Sequence, residues 1–239
     1  MKVYAIIPAR FDSTRFPGKP LALINGQPMY LWVYQAALTC HQVDTVILAT
    51  DDERIRTNAI SYGCNVVMTG CCPSGTDRVH EVAKTHGLDS TDIIVNVQGD
   101  EPLIRSSHIE TLIYHMKTNT RSRMVTLAIP ISYDMALSPN VVKVVRDHCN
   151  RALYFSRCPI PYHASHYLKH IGIYAYRMAT LSLLCALPQT DIEKAEQLEQ
   201  LRALDNGIGI DVLTTLQDTI SVDTPADLAN VINWLNSHT

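Results

Sequence analysis

Apolar residues in the first half of the chain fall into short, nearly unbroken runs: VYAIIPA (3–9), TVILAT (45–50), NVVM (65–68), the start of IIVNVQGDEP (93–102) and MVTLAIPI (124–131). Between them lie longer mixed segments with helical spacing, near 28–39, over DDERIRTNAISYG (51–63), from the loop TGCCPSGTDR to about His86, and between the last two runs. Strands apolar on both faces that alternate with helices predict a mostly parallel sheet covered on two sides, a doubly wound α/β fold. The segment 51–63 carries acids in its first turn and Gly63 as its stop. The second half is less regular. VVKVVRD (141–147), ALYFSR (152–157) and KHIGIYAYR (169–177) predict strands of a mixed or antiparallel segment. Helices are expected near 178–186 and 192–204, then a strand in IGIDVLT (208–214), and a final helix in TPADLANVINWLNS capped by Thr224 with Pro225 at its first position. With no repeat, low-complexity tract or linker, residues 1–239 read as one domain with an inserted sub-lobe at roughly 132–205.

Composition narrows the function classes. Apolar residues make up 46% of the chain and charged residues 18%, as in ordinary globular proteins, which argues against disorder. A net charge of −3 argues against general nucleic-acid binding, so any basic site must be local. The N-terminal MKVYAIIPAR has too short an apolar core for a signal peptide and reads as a first strand; no apolar run reaches membrane-spanning length. The seven cysteines are odd in number and contain no CxxC pair, so free thiols in a reducing cytoplasm are expected.

Ligands of doubly wound sheets sit beyond the carboxyl ends of the strands, where Arg10, Asp51, Gly99 and Asp100 fall. IIPARFDSTRFPGKPL (6–21) places Arg10, Arg15 and Lys19 on a loop broken by proline and glycine. Such a loop can aim amides and cations at phosphate oxygens; the alternative is an exposed loop with solvated cations, and neither GxGxxG nor GxxxxGK[ST] is present. Asp100 in QGDEP (98–102) stands where a carboxylate can hold Mg2+ against a triphosphate, or can simply cap the next element. Asp223 in SVDTPADL (221–228) is open to the same two readings. PSGTDR (73–78) offers Ser74, Thr76 and Arg78 to a base, ribose or phosphate, or is a plain helix cap. Arg157 and His170, at the edges of predicted strands, can bind a substrate carboxylate, though a lone histidine there is commonly structural. EKAEQLEQLR places Glu196, Glu199 and Gln200 on one helix side. GxSxG and HExxH are absent.

These motifs, IPARFDSTRFPGKPL, SGTDR, NVQGDEPLI, LYFSR, KHIGIYAYR, LEQLRAL and VDTPADL, occur in the order found in 3-deoxy-manno-octulosonate (Kdo) cytidylyltransferases, which the chain resembles over nearly its whole length. The first motif is shared with relatives such as CMP-sialic acid synthetases, while its combination with NVQGDEP, YFSR and LEQLR is more specific. The resemblance implies a Rossmann-like nucleotidyltransferase, usually a homodimer, that joins CTP to Kdo and releases pyrophosphate for lipopolysaccharide assembly. It implies that Arg10, Ser13, Arg15 and Lys19 hold the triphosphate, with Ser74, Thr76, Arg78 and Gln98 on the nucleotide side. Asp100 and Asp223 would ligate Mg2+, and Arg157, His170, Glu196 and Glu199 would face the sugar acid. Arg10, Arg15, Lys19 and Asp100 would form the catalytic group. Between YFSR and KHIGIY the chain has only CPIPYHASHYL where the family carries a longer segment. That shortness is reminiscent of relatives that take the 8-amino derivative of Kdo, which is the alternative substrate, beside a sialic-acid-like sugar. A glycosyltransferase would normally show a DxD pair, which QGDEP lacks, and a non-catalytic nucleotide sensor would have lost Lys19, Asp100 or Asp223.

Overall fold

The computed structural model describes residues 1–13 and 15–237. The chain runs β1 (Val3–Pro8), a 3-10 turn (Lys19–Leu21), β2 (Leu23–Ile24), β3 (Gln27–Pro28), α1 (Met29–Leu38), β4 (Thr45–Thr50), α2 (Glu53–Ser61), β5 (Val66–Met68) and α3 (Gly75–Thr85). It continues through β6 (Ile93–Val97), α4 (Ser106–Thr118), β7 (Met124–Ile131), α5 (Tyr133–Ala136), β8 (Lys143–Arg146), β9 (Ala152–Ser156) and β10 (Tyr167–Arg177). It ends with α6 (Met178–Ala186), α7 (Asp191–Glu196), α8 (Gln200–Asp205), β11 (Asp211–Thr214) and α9 (Pro225–Ser237).

The main sheet has the order β11-β7-β10-β6-β1-β4-β5. β1 lies parallel to β4 and β6, β4 to β5, and β11 to β7, while β10 is antiparallel to both its neighbours. The apolar runs become central strands because both faces are covered. Val3, Ala5 and Ile7 of β1 enter one core with Ile93, Val95 and Val97 of β6, against α1, α2 and α4. Ile6 and Ile94 enter the opposite core with α3, α6 and α8. Full burial of one such isoleucine stabilises the fold by roughly 1.5–3 kcal/mol.

Helix starts follow local chemistry. The Asp52 side chain accepts from the amides of Arg54 and Ile55, and Ser74 accepts from that of Asp77. Cap geometry therefore begins α3 at Gly75, inside the stretch expected to be loop. The helix expected over 192–204 is two helices. Gln197 adopts the left-handed region (φ 55°), its amide closes onto the Glu193 carbonyl, and Leu198 turns into the core. A buried ion pair then clasps α7 to α8, with Arg202 donating to Glu193 at 2.6 and 2.9 Å. The stretch 132–205 both joins the main sheet, through β10, and projects from it as the β8–β9 hairpin, which touches β10 at the Lys169–Lys143 pairing. The seven cysteines are free thiols, as expected.

Candidate active site

The site lies beyond the carboxyl ends of β1 and β6, and two close backbone approaches build it. After β1 the loop closes when the Gly18 amide donates to the Phe11 carbonyl (2.9 Å). Gly18 has φ 71°, and a Cβ there would stand 3.0 Å from the Phe11 ring, so glycine alone suits both the backbone and the packing. The Arg54 guanidinium covers the Phe11 ring at 3.2 Å from its centroid. Beyond β6, a Cβ on Gly99 would meet the Pro8 carbonyl oxygen at 2.8 Å. This contact holds the two strand ends together and fixes where Asp100 emerges.

Lys19 opens the 3-10 turn with Pro20 buried behind it. Its ammonium donates to Asp100 Oδ2 at 2.7 Å and lies 3.4 Å from Asp223 Oδ1, a residue 204 positions away. The two carboxylate oxygens therefore stand within about 6 Å of one another. Arg15 Nη2 reaches Asp223 Oδ2 at 3.0 Å. The convergence is enforced by the backbone, because the Val222 amide donates to the Asp100 carbonyl (2.9 Å). Thr224 and Asp227 cap the start of α9 and leave the Asp223 carboxylate free for the cleft. Arg10, Ser13, Arg15 and Lys19 line this one cleft together with Asp100 and Asp223. A pair of hard anionic oxygens beside a cationic loop suits Mg2+, which binds through one or two carboxylates plus phosphates and water. Among the described residues, no cluster of three or more His, Cys, Asp or Glu could hold a metal by itself.

Ser74 and Gln98 also line this cleft, as does Arg78. Arg78 is buried and its charge is met inside the fold, by Asp51 Oδ2 at 2.6 Å and by the Thr69 hydroxyl. It serves as a wall rather than a free cation. Cys72 borders the cleft with its thiol donating to Glu81 Oε2 (3.0 Å); burial and that carboxylate push the thiol up to about 12, so it carries no thiolate near neutral pH.

A second cavity opens beside the first and shares Gln98 and Asp100 with it. Arg157, His170 and Glu199 line it, and so does Thr76, which does not line the first cleft. β10 extends past the end of β6, with Ile173 opposite Val97, so His170 and Gly172 project over the cavity. Arg157 is aimed by backbone carbonyls, donating to those of Glu196 (2.9 Å) and Pro139 (3.0 Å). Burial, with a smaller push from Lys169, lowers His170 to about 3. It is a neutral ring, 3.0 Å from the Thr126 hydroxyl and edge-on to Phe155. It can hydrogen-bond a ligand but brings no charge. Glu199 accepts from Thr76 (2.9 Å) and stands 3.0 Å from the Ser74 hydroxyl. Burial raises its carboxyl and the two hydroxyls pull it back. One carboxylate thus ties the wall of the second cavity to the loop of the first.

The break at Gln197 separates Glu196 from Glu199, which a continuous helix would have placed on one side. Glu196 turns back to accept from the Ser156 hydroxyl (2.7 Å) and the Arg157 amide (2.9 Å), and is not among the residues lining the cavity. Its place is behind Arg157. Sequence reasoning missed several polar side chains. Tyr174 lines the second cavity, as does Gln200, which the sequence set beside Glu196 and Glu199 without giving it a part. Glu101, also on its wall, is pushed up to about 7 by burial and then by the neighbouring Asp100. Lys143, wholly buried, donates to the carbonyls of Ser138 (2.9 Å), Val141 and Arg157. Glu101 stands beside Asp100 in the quoted QGDEP and Tyr174 lies inside KHIGIYAYR, so position within a motif was the available signal; for Lys143 there was none.

The cytidylyltransferase family pattern matches residues 4–212. A 3-deoxy-manno-octulosonate cytidylyltransferase of Syntrophobacter fumaroxidans is 45% identical over 97% of this chain and 96% of its own. One from Cellvibrio japonicus is 46% identical over 97% of each chain. A solved structure described as CMP:2-keto-3-deoxy-manno-octonic acid synthetase complexed with CTP superposes with TM-score 0.94 at 42% identity, covering 100% of both chains. A cytidylyltransferase of Leptospira borgpetersenii, 17% identical, shares the fold at TM-score 0.62 over 99% of this chain and 96% of its own. The cationic loop, the paired carboxylates and the adjoining cavity sit on a chain that matches these relatives almost end to end, and the chain belongs to the 3-deoxy-manno-octulosonate cytidylyltransferase family.

Proposed function

We propose that this protein transfers a cytidylyl group from CTP to the anomeric hydroxyl of Kdo, giving CMP-Kdo and pyrophosphate. The observation that carries the reading is the Lys19 ammonium held between Asp223 and Asp100, the latter bordering both cavities. One cavity is rimmed by cations suited to a triphosphate, and the other holds Arg157 for a sugar carboxylate. Near-full-length agreement with Kdo enzymes does not favour the 8-amino or sialic-acid alternative.

The chemistry follows from charge. CTP and the sugar acid are both anions, and their approach is opposed until cations screen it. Arg10 and Arg15 neutralise the phosphate tail, and Lys19 sits where charge builds on the departing pyrophosphate. The sugar hydroxyl forms its bond to the α-phosphorus and gives up its proton to water as the bond to the β-phosphate oxygen breaks, in line, with positioning supplying most of the acceleration. Asp100 and Asp223 would hold Mg2+, which when bound supplies Lewis-acid stabilisation of phosphate charge. We place the reaction in the cytoplasm, in a homodimer, serving lipopolysaccharide assembly.

Pyrophosphate release is measured with CTP, Mg2+ and Kdo, omitting each in turn. Release that requires all three is the expected result. Release without a sugar acid, or none with Kdo, overturns the reading.

A further inference from the structure

The structure assigns Glu101 a part in this site: we propose that its carboxyl accepts a hydrogen bond from a hydroxyl of the bound sugar and so selects for that hydroxyl. The assignment rests on the Kdo reading of the second cavity. Glu101 follows Asp100 at the end of β6 and is only 7% exposed, yet it lines the cavity. Its Oε2 is buried and has no hydrogen-bond partner, while the Thr219 side chain hydrogen-bonds the same carboxyl. Its Oε1 lies 3.5 Å from where a Cβ on Gly172 would stand, so the carboxyl passes close over a residue of β10 that has no side chain to cover it. The hydroxyl of Tyr174, two positions further along β10 and 8% exposed, is the other buried side-chain atom without a partner among the described residues, and Tyr174 lines the same cavity.

Buried polar atoms in folded proteins are almost always paired, and a carboxyl oxygen left without a donor is unfavourable. Two orphans on one wall mark that wall as built for a polar occupant. The chemistry of the orphan narrows the occupant further. An acceptor oxygen is matched by an O–H donor, whereas the sugar's carboxylate is matched by the Arg157 guanidinium elsewhere in the cavity. The sugar therefore lies with its acid group toward Arg157 and a hydroxyl toward Glu101. A site shaped to pair with a hydroxyl rejects an analogue that lacks it, because its own polar group is then stranded.

The test combines Glu101→Ala and Glu101→Gln with Kdo analogues that each lack one hydroxyl. KM for Kdo and for CTP are measured separately, with thermal melting as a check on folding. The expected result is a KM for Kdo raised about tenfold or more in Glu101→Ala, with KM for CTP within about twofold of wild type. One deoxy analogue should be poor for the wild-type enzyme yet cause no further loss in the variant, a non-additivity that reports direct contact. The isosteric Glu101→Gln answers the same question should the alanine variant fail to fold. An unchanged KM for Kdo, equal changes in both KM values, or additive losses for every analogue overturns the assignment while leaving the activity standing. A wild-type enzyme inert toward Kdo overturns both.

Discussion

Lys19 shows how much one side chain can organise. Its ammonium is largely shielded, with 12% of the side chain exposed, and it faces two carboxylates at once. Lys19→Met strips the counter-charge from Asp100 and Asp223 and removes a cation from the first cleft. Turnover at saturating CTP and Kdo is expected to fall by two decades or more, about 3 kcal/mol in barrier, and Asp100→Asn by a similar factor. Wild-type rates from both variants would show that the carboxylates and the ammonium act elsewhere. Lys143 is the structural counterpart. Three carbonyls share its buried charge, one of them on Arg157. Lys143→Met is expected to lower stability by about 3 kcal/mol or more, read by urea denaturation, since three buried acceptors lose their donor together. Lys19 was legible in the sequence because it sits among prolines and glycines after an apolar strand. Lys143 was not, since a lysine in VVKVVRD reads as the solvent-facing residue of a strand.

Elements place these side chains, and their ends matter more than their middles. The loop after β1 depends on Gly18. Gly18→Ala is expected to cost about 1–2 kcal/mol for the positive φ alone, and its Cβ would also press on the Phe11 ring. The loop carrying Arg15 and Lys19 should then shift, and KM for CTP should rise more than KM for Kdo; equal effects on the two would argue against a loop dedicated to the nucleotide. The left-handed Gln197 is the opposite case. Nothing in EKAEQLEQLR announces a break, because every residue there favours helix. Tertiary packing overrides that preference by burying Leu198 and pairing Glu193 with Arg202. As a result Glu196 and Glu199 part company, one toward Arg157 and the other toward Ser74 and Thr76.

At the scale of the whole molecule, burial of a titratable group couples the site to stability. His170 titrates near 3 in the folded protein against an ordinary value of 6.5. Between those values the unfolded chain takes up a proton that the folded chain refuses, so the unfolded state gains as pH falls. The contribution is intact above about 6.5 and is lost toward 3, at up to about 1.4 kcal/mol per pH unit. Denaturant midpoints for wild type and His170→Gln are expected to converge or cross as pH drops from 7 to 4, with the variant the less acid-sensitive. Parallel curves would show that His170 is not the group responsible.

The sequence by itself determined the layered architecture and the chemistry on offer. Strand runs apolar on both faces can be satisfied only between two helical layers, and a loop of cations after such a strand can reach only the carboxyl edge of the sheet. Local pattern carries that information because side-chain period and strand burial are local properties. Tertiary structure decided which charges meet. Asp223 reaches Lys19 because the Val222 amide bonds the Asp100 carbonyl, Arg78 is consumed by Asp51, and Glu101 is brought close to Gly172 of β10. Contacts between residues so distant along the chain depend on the closure of the whole fold, and spacing within any single motif does not encode them.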